Sequence, residues 1–399
     1  MTIKKLFSVF ILIIASVHLY GQQVGHTQIT FIIDTSRNNR SIPTEIYYPA
    51  TVAGNNTPIA AGVFPVISFG HGFVMTWSAY ENFWDDLVSE GYILAFPTTE
   101  GGFAPDHADF GADLKFLITE IQNNGAGTSV PVSSVGITSA IMGHSMGGGS
   151  SFLAAENNSG ISTMVSFAAA STNPSSISAA QQVSVPTLIF SGTNDCVAPP
   201  PQQQDLIYDS TAAAYKTQVY ITGGGHCYFA DYNFNCAFGE LTCSPNPTIT
   251  RAEQHAATSD FLKLWLAYYL KGDCNKANEF QDSLSSSARI TFRQSQSISC
   301  PTGIQDESDI KNNGFNIFPN PSGDNITIEF LLDEPSAIRI DIVNALGQTV
   351  NVLLEKKLES LKQEIKFSTR QIGLTEGAYL IRLFVNEKVY HKLFLTSNY

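Results

Sequence analysis

At 399 residues, with 43% apolar and 14% charged residues, the chain is too long for one ordinary domain and apolar enough for a sizeable buried core. Its formal charge of −13 argues against nucleic acid, whose phosphates need clustered Lys and Arg, and favours solubility away from anionic surfaces. In chain order, Lys4 and Lys5 precede an apolar run from Leu6 to Val17, with Gly21 and polar residues after it. That is the pattern of a signal peptide over 1–21; the run is short for a bilayer span, and no later stretch is apolar for long enough to cross one. Export changes the reading of the six cysteines: C-x-x-C metal pairs are absent, and an even count outside the cytosol points to disulfides.

Strands are expected at Gln28–Ile33 and Thr44–Tyr48, separated by the polar turn from Ser36 to Arg40. Pro65–Phe69 reads as a buried strand ending at Gly70-His71-Gly72-Phe73. Thr76 caps a helix to about Glu90, with Tyr80, Phe83, Trp84, Leu87 and Val88 on one face. Another strand follows at Tyr92–Pro97, then a helix opened by Pro105 whose apolar stripe is Phe110, Leu114, Leu117, Ile118 and Ile121. The apolar run Ser139–Met142 breaks into Gly143-His144-Ser145-Met146-Gly147, a G-x-S-x-G pentapeptide, and a small-residue helix over Ser150–Glu156 comes next. Further strands are expected at Thr163–Phe167, Thr187–Ser191 and Gln218–Thr222, and a long amphipathic helix at Arg251–Lys271. Alternating strands and helices imply a mostly parallel sheet covered on both faces, with ligands at the carboxyl ends of its strands. The α/β domain is expected over 22–284, a polar linker over 285–314, and a small all-β sandwich over 315–399 built from short alternating runs.

The strand–turn–helix context gives the pentapeptide its chemical meaning. A serine on a strained turn stands clear of the sheet, and flanking glycines leave room for strand and helix to meet. A serine hydroxyl is a poor nucleophile until a base takes its proton, and that base needs an acid to fix its tautomer. Asp195, where Ile189–Asn194 runs from strand into loop, and His226, after Gly223-Gly224-Gly225, follow Ser145 in the chain order this architecture uses. His255 is the weaker base candidate because it sits inside a helix. Oxyanion donors are expected from the backbone N–H groups of Met146 and Phe73, with His71 supporting the loop. His144, beside the nucleophile, is read as a packing residue that also borders the substrate. No His or Cys pair has metal-ligand spacing, and Asp231-Tyr232-Asn233-Phe234-Asn235 is a weak calcium pattern, so neither a metal nor a cofactor is expected.

Taken together, Tyr47-Tyr48-Pro49, Gly72-Phe73, Gly143–Gly148, Pro186–Phe190 with Asn194-Asp195, and Gly224-Gly225-His226 resemble the α/β-hydrolase superfamily. Within it they are similar to bacterial cutinases, polyester hydrolases and dienelactone-hydrolase-like esterases, over about Thr27 to Gly272. The resemblance implies Ser145 as nucleophile, His226 as base, Asp195 as acid, and Phe73 and Met146 as oxyanion amides, acting on an ester substrate. It also implies a disulfide joining the acid and histidine loops, Cys196–Cys227, which leaves Cys236–Cys243 and Cys274–Cys300. The chain departs from the pattern in two places. Small residues (Ala169-Ala170-Ser171) stand where polyester hydrolases carry a clamping tryptophan, leaving Phe73 as one aromatic wall, with Trp77 read either as part of that wall or as a core residue. An added loop, Tyr228–Pro247, stands beside His226 and narrows the cleft. Both features favour short-chain or soluble esters over bulky polymers, with polyesters kept as candidate substrates. Phe318-Pro319-Asn320-Pro321, Asn344–Gln348 and Gly377-Ala378-Tyr379 resemble the sorting domain of Bacteroidetes type IX secretion, which implies export through the periplasm and outer membrane by that machinery. The expectation is a monomeric, exported serine esterase. Acyl transfer, lipase or amidase activity on the same machinery, and a catalytically silent binding protein, are the competing readings.

Overall fold

The computed structural model describes residues 23–34, 37–299 and 315–396, apart from 333–334, 345–347, 360 and 387. The expected signal peptide, residues 300–314 of the expected linker, and Cys300 lie outside the described residues.

A ten-stranded sheet organises the first part of the chain. It opens with β1 (Gln23–Asp34), β2 (Arg40–Ala50) and the short β3 (Gly54–Asn55). The alternating portion follows: β4 (Phe64–Gly70), α1 (Glu81–Ser89), β5 (Ile93–Pro97), α2 (His107–Asn124), β6 (Val135–His144), α3 (Met146–Ala155), β7 (Thr163–Phe167), α4 (Ser176–Ala180), β8 (Thr187–Gly192), α5 (Gln204–Ser210) and β9 (Lys216–Ile221). Then come α6 (Phe234–Glu240), α7 (Arg251–Lys271), α8 (Asn275–Ser286) and β10 (Ile290–Gln294). Spatial order is β10-β9-β8-β7-β6-β4-β5-β2-β1-β3. Strands β5, β4, β6, β7, β8 and β9 are mutually parallel, while β1, β2 and β10 join antiparallel.

The period-2 alternation of a strand divides the core between the two faces. Ile67 and Phe69 of β4, Met142 of β6, Phe167 of β7 and Phe190 of β8 pack with α1, α7 and α8. Val66, Ile141, Met164 and Ile189, each one residue out of step, pack with α2, α3, α4 and α5 on the opposite face. Helix α2 is capped by Asp106, whose side chain accepts from the Ala108 and Asp109 amides, so the helix begins just after the expected Pro105. Helix α7 matches its expected span, held by a Thr250–Glu253 capping box and closed by Gly272 at φ +65°.

The stretch assigned to a linker from Ser285 is structured further than its composition suggests. Helix α8 runs to Ser286, and β10 pairs with β9 to extend the sheet by one edge strand. Ile290 is buried there while Phe292 is exposed, too weak an alternation to read in five residues.

The C-terminal part is all antiparallel: β11 (Asn316–Phe318), β12 (Asn325–Leu332) and β15 (Leu361–Ser368) form one sheet. Strands β13 (Ser336–Val343), β14 (Thr349–Leu358), β16 (Gly377–Val385) and β17 (Lys388–Thr396) form the other. Ile326, Ile328 and Phe330 of the first meet Ile338, Ile340, Ile342 and Leu383 of the second in one apolar cluster.

Candidate active site

Sheet order turns around between β4 and β6, since the chain leaves β4 for β5 on one side and returns to β6 on the other. Crevices at the carboxyl ends of strands open at such a point. The Gly72-Phe73 turn follows β4, Ser145 follows β6, Asp195 follows β8 and His226 follows β9.

Ser145 has φ +57° and ψ −118°, a conformation in which a side chain is strained. Several bonds hold it there: its N–H donates to Phe167 O at 2.9 Å, and its carbonyl accepts from Gly149 and Ala170, both at 3.0 Å. The strand and helix also meet very closely. A Cβ on Gly147 would lie 2.1 Å from Gly70 O, so no side chain fits there. Helix α3 starts at Met146, directly after the serine and earlier than the small-residue run suggests, which leaves the Met146 amide in the unpaired first turn.

The structure brings Ser145, His226 and Asp195 into one line. His226 Nε2 lies 2.8 Å from Ser145 Oγ, and His226 Nδ1 lies 2.8 Å from Asp195 Oδ2. Asp195 accepts from the Val197 and Ala198 amides at 2.9 and 2.8 Å through its other oxygen, which aims Oδ2 at the imidazole. Ser145 is 9% exposed, His226 2% and Asp195 4%, so the whole line is buried and is most accessible at the serine. Burial pushes the His226 imidazole down; the charge and hydrogen bond of Asp195, with a further contribution from Glu240, outweigh it and raise it above its ordinary value. With Asp195 accepting at Nδ1–H, Nε2 is left bare to take the hydroxyl proton.

The neighbouring side chains fall into different places. Phe73 is exposed and meets the still more exposed Phe103 edge to face, centroids 6.4 Å apart. His71 is buried, with its ring nitrogens 2.9 Å from Gly72 O and 2.8 Å from Thr99 O, so it braces this turn. His144 takes the expected packing role and offers no exposed surface for the expected substrate contact. It is fully buried, its ring spent on Tyr80 and on the His226 carbonyl. Trp77 likewise turns inward: its Nε1–H donates to Tyr47 Oη at 3.1 Å and its ring packs against the core. His255 lies near Ala230 O at 3.2 Å, away from the serine line. Ala168 and Ala169 are fully buried after β7, where no aromatic residue stands. The weak calcium pattern spends its side chains on protein: Asp231 accepts from the Asn82 amide at 3.0 Å, Asn233 caps α6, and Asn235 donates to Val74 O at 2.8 Å.

The expected Cys196–Cys227 disulfide is corrected. Cys196 bonds Cys243, and Cys227 bonds Cys236, which also replaces the expected Cys236–Cys243 closure. The added loop carries α6 between the acid loop and the histidine loop, so each cysteine reaches this insertion and not its opposite number. The two loops are still tied together, but through α6. Cys274 is disulfide-bonded, and its expected partner Cys300 lies outside the described residues. Sequence reasoning missed two residues here. Glu240 of α6 accepts the Cys227 N–H at 2.8 Å, and Tyr80 reaches His144; both read as ordinary surface or core residues in a linear pattern.

Comparisons with known proteins agree with both halves of the fold. A search of curated proteins returned no match. The model of a secretion system C-terminal sorting domain matches residues 316–396, the antiparallel half of the chain, and marks the protein for type IX export to the cell surface or beyond. Among the described residues no helix is long and apolar enough to cross a membrane. The model of PET hydrolase-like proteins matches residues 30–243, more than half of the chain, and the protein therefore belongs to the PET hydrolase-like family of α/β-hydrolases.

Proposed function

We propose that the protein is a secreted serine carboxylic-ester hydrolase that works through an acyl-enzyme. The observation that carries this reading is the unbroken line from Ser145 Oγ through His226 to Asp195, two contacts of 2.8 Å ending at the crevice of a parallel sheet. In this scheme Ser145 attacks the ester carbonyl carbon while its proton passes to His226 Nε2. Asp195 holds the imidazolium that forms. Gly72 spends its N–H on Tyr80, so the donors offered to the developing oxyanion are the amides of Phe73 and Met146. Collapse of the tetrahedral intermediate expels the alcohol, which takes its proton from His226. Water, deprotonated by the same imidazole, then releases the acid and frees Ser145.

Family membership supports ester hydrolysis, and the rim supports an apolar or aromatic group next to the scissile bond, because Phe73 and Phe103 stand exposed there. Alanines after β7 leave that group without a second wall from the sheet, which favours short-chain or soluble esters while keeping an aromatic polyester as a substrate to be tested. Ser145→Ala should lower turnover of nitrophenyl esters at least ~10³-fold with the thermal midpoint retained. Turnover surviving that change would overturn the proposal. A panel from acetyl to long-chain esters, with aromatic polyester film beside it, ranks the substrates.

A further inference from the structure

We propose that Tyr80 and His144 form a buried positioning pair that registers the Gly72-Phe73 turn and the His226 main chain against the nucleophile elbow. The inference rests on the serine-hydrolase reading above and concerns residues that take no part in bond making.

Three hydrogen bonds carry it. The Gly72 N–H donates to Tyr80 Oη at 2.7 Å, Tyr80 Oη lies 3.0 Å from His144 Nδ1, and His144 Nε2 lies 3.0 Å from the carbonyl oxygen of His226. Their directions follow from the inventory of protons. A carbonyl only accepts, so His144 must carry its proton on Nε2. A neutral ring then has a bare Nδ1, which accepts from the Tyr80 O–H, and the phenol oxygen in turn accepts from Gly72. The Tyr80 hydroxyl thus accepts from Gly72 and donates to His144, with Met75 Sδ as a longer second acceptor at 3.5 Å. Burial holds the His144 ring neutral by pushing it well below the imidazole range, and His226 beside it acts in the same sense. Burial likewise raises the Tyr80 phenol, keeping its proton in place.

The surroundings single this pair out. Tyr80 and His144 are fully buried in a wall of rings that includes Phe69, Phe83, Phe167 and Phe229. An apolar pair would fill such a place without the desolvation cost of two polar groups. Both ends of the chain, however, land on main-chain atoms of the reacting site. Gly72 precedes Phe73, the proposed oxyanion donor; His144 precedes Ser145; and the accepted carbonyl belongs to His226 itself. Gly72 also leaves room for the contact, since a Cβ there would lie 3.3 Å from Tyr80 Oη, 3.4 Å from His144 Nδ1 and 2.7 Å from Met75 Sδ. One pair thus sets the spacing between oxyanion turn, nucleophile and base, three segments that are remote in sequence. Such spacing matters most in the transition state, where a donor must meet a charge that the ground state lacks.

The test is steady-state kinetics on a soluble nitrophenyl butyrate with Tyr80→Phe, which removes one oxygen atom and keeps the ring. The expected result is a kcat about tenfold to a hundredfold lower with KM within about twofold, in protein whose thermal unfolding remains cooperative. His144→Gln, which can still offer an N–H to the His226 carbonyl, should keep more of kcat than His144→Leu, which cannot. A folded Tyr80→Phe protein with kcat and KM unchanged would overturn the proposal, even if its thermal midpoint falls, because that is the mark of packing alone. His144→Gln performing no better than His144→Leu would also overturn it, and that comparison decides the matter should Tyr80→Phe not fold. Neither result touches the serine-hydrolase reading, which stands or falls on Ser145→Ala.

Discussion

Ser145 and Val74 are held at positive φ, +57° and +48°, on the segments that follow the neighbouring strands β6 and β4. For a β-branched residue such as Val74 that conformation is costly, and it is maintained by bonds around it, including the one Asn235 donates to its carbonyl. Strain of this kind sits where main-chain N–H groups must be aimed at a substrate instead of at one another. The imidazole of His226 gives the residue-scale prediction. Its proposed role requires the neutral form, and Asp195 holds its proton affinity above the ordinary value despite burial. Hydrolysis should therefore fall as pH drops through a midpoint above the ordinary imidazole value, because the protonated ring cannot accept from Ser145. Asp195→Asn removes the charge that raises it, so the acid limb should move to lower pH, while kcat drops by about 10⁴-fold through loss of the correct tautomer. A pH–rate profile of both proteins checks the sign. An acid limb that stayed in place would remove His226 from the role of base.

Among the elements, α6 is the one that departs most from a plain doubly wound sheet. Its Cys236 and Glu240 share one face, four residues apart, and both reach the histidine loop: Cys236 through the bond to Cys227, Glu240 through the Cys227 N–H. Phe234 and Phe238 occupy the opposite face, exposed and stacked on each other at 6.4 Å. Beyond α6, Cys243 returns to Cys196 beside the acid, and Arg251 donates to the Cys227 and Ala230 carbonyls. The loop therefore works as a strap across Asp195 and His226. In the chain-entropy picture the 47-residue separation of Cys196 and Cys243 gives a stabilisation of about 4 kcal/mol, and the 9-residue separation of Cys227 and Cys236 about 2.5 kcal/mol. Cys196→Ser with Cys243→Ser should lower the thermal midpoint and also depress kcat, since the two loops lose their tie. Reductant should reproduce both effects in the unaltered protein. Differential scanning calorimetry beside an esterase assay reads them together; a lower midpoint with full activity would mean the strap serves stability only.

At the scale of the whole molecule, the sheet buries side chains on both faces, and α7 packs across one of them onto β7. Trp265 is fully buried there, with its indole N–H donated to Thr163 Oγ1 at 2.8 Å. Trp265→Ala should cost about 3–5 kcal/mol, read as a shifted denaturant midpoint, without changing the pH profile of the surviving fold. The order of serine, acid and histidine was legible in the chain because this architecture uses one chain order. Alternating strands and helices and the G-x-S-x-G turn were legible as local patterns set by backbone sterics and by burial of every second or every third to fourth residue. The antiparallel half was legible for the same reason, down to most of its strands. Disulfide partners, the hydrogen-bond partners of His144 and the edge strand β10 were not, since each depends on which segments become neighbours after folding. Cys196 and Cys227 each adjoin a catalytic candidate, yet α6 comes between them, and only the packed chain decides that. Local chemistry thus named the candidate groups, whereas the distances that bring them together arise from the parallel alignment of β4, β6, β8 and β9 in one sheet.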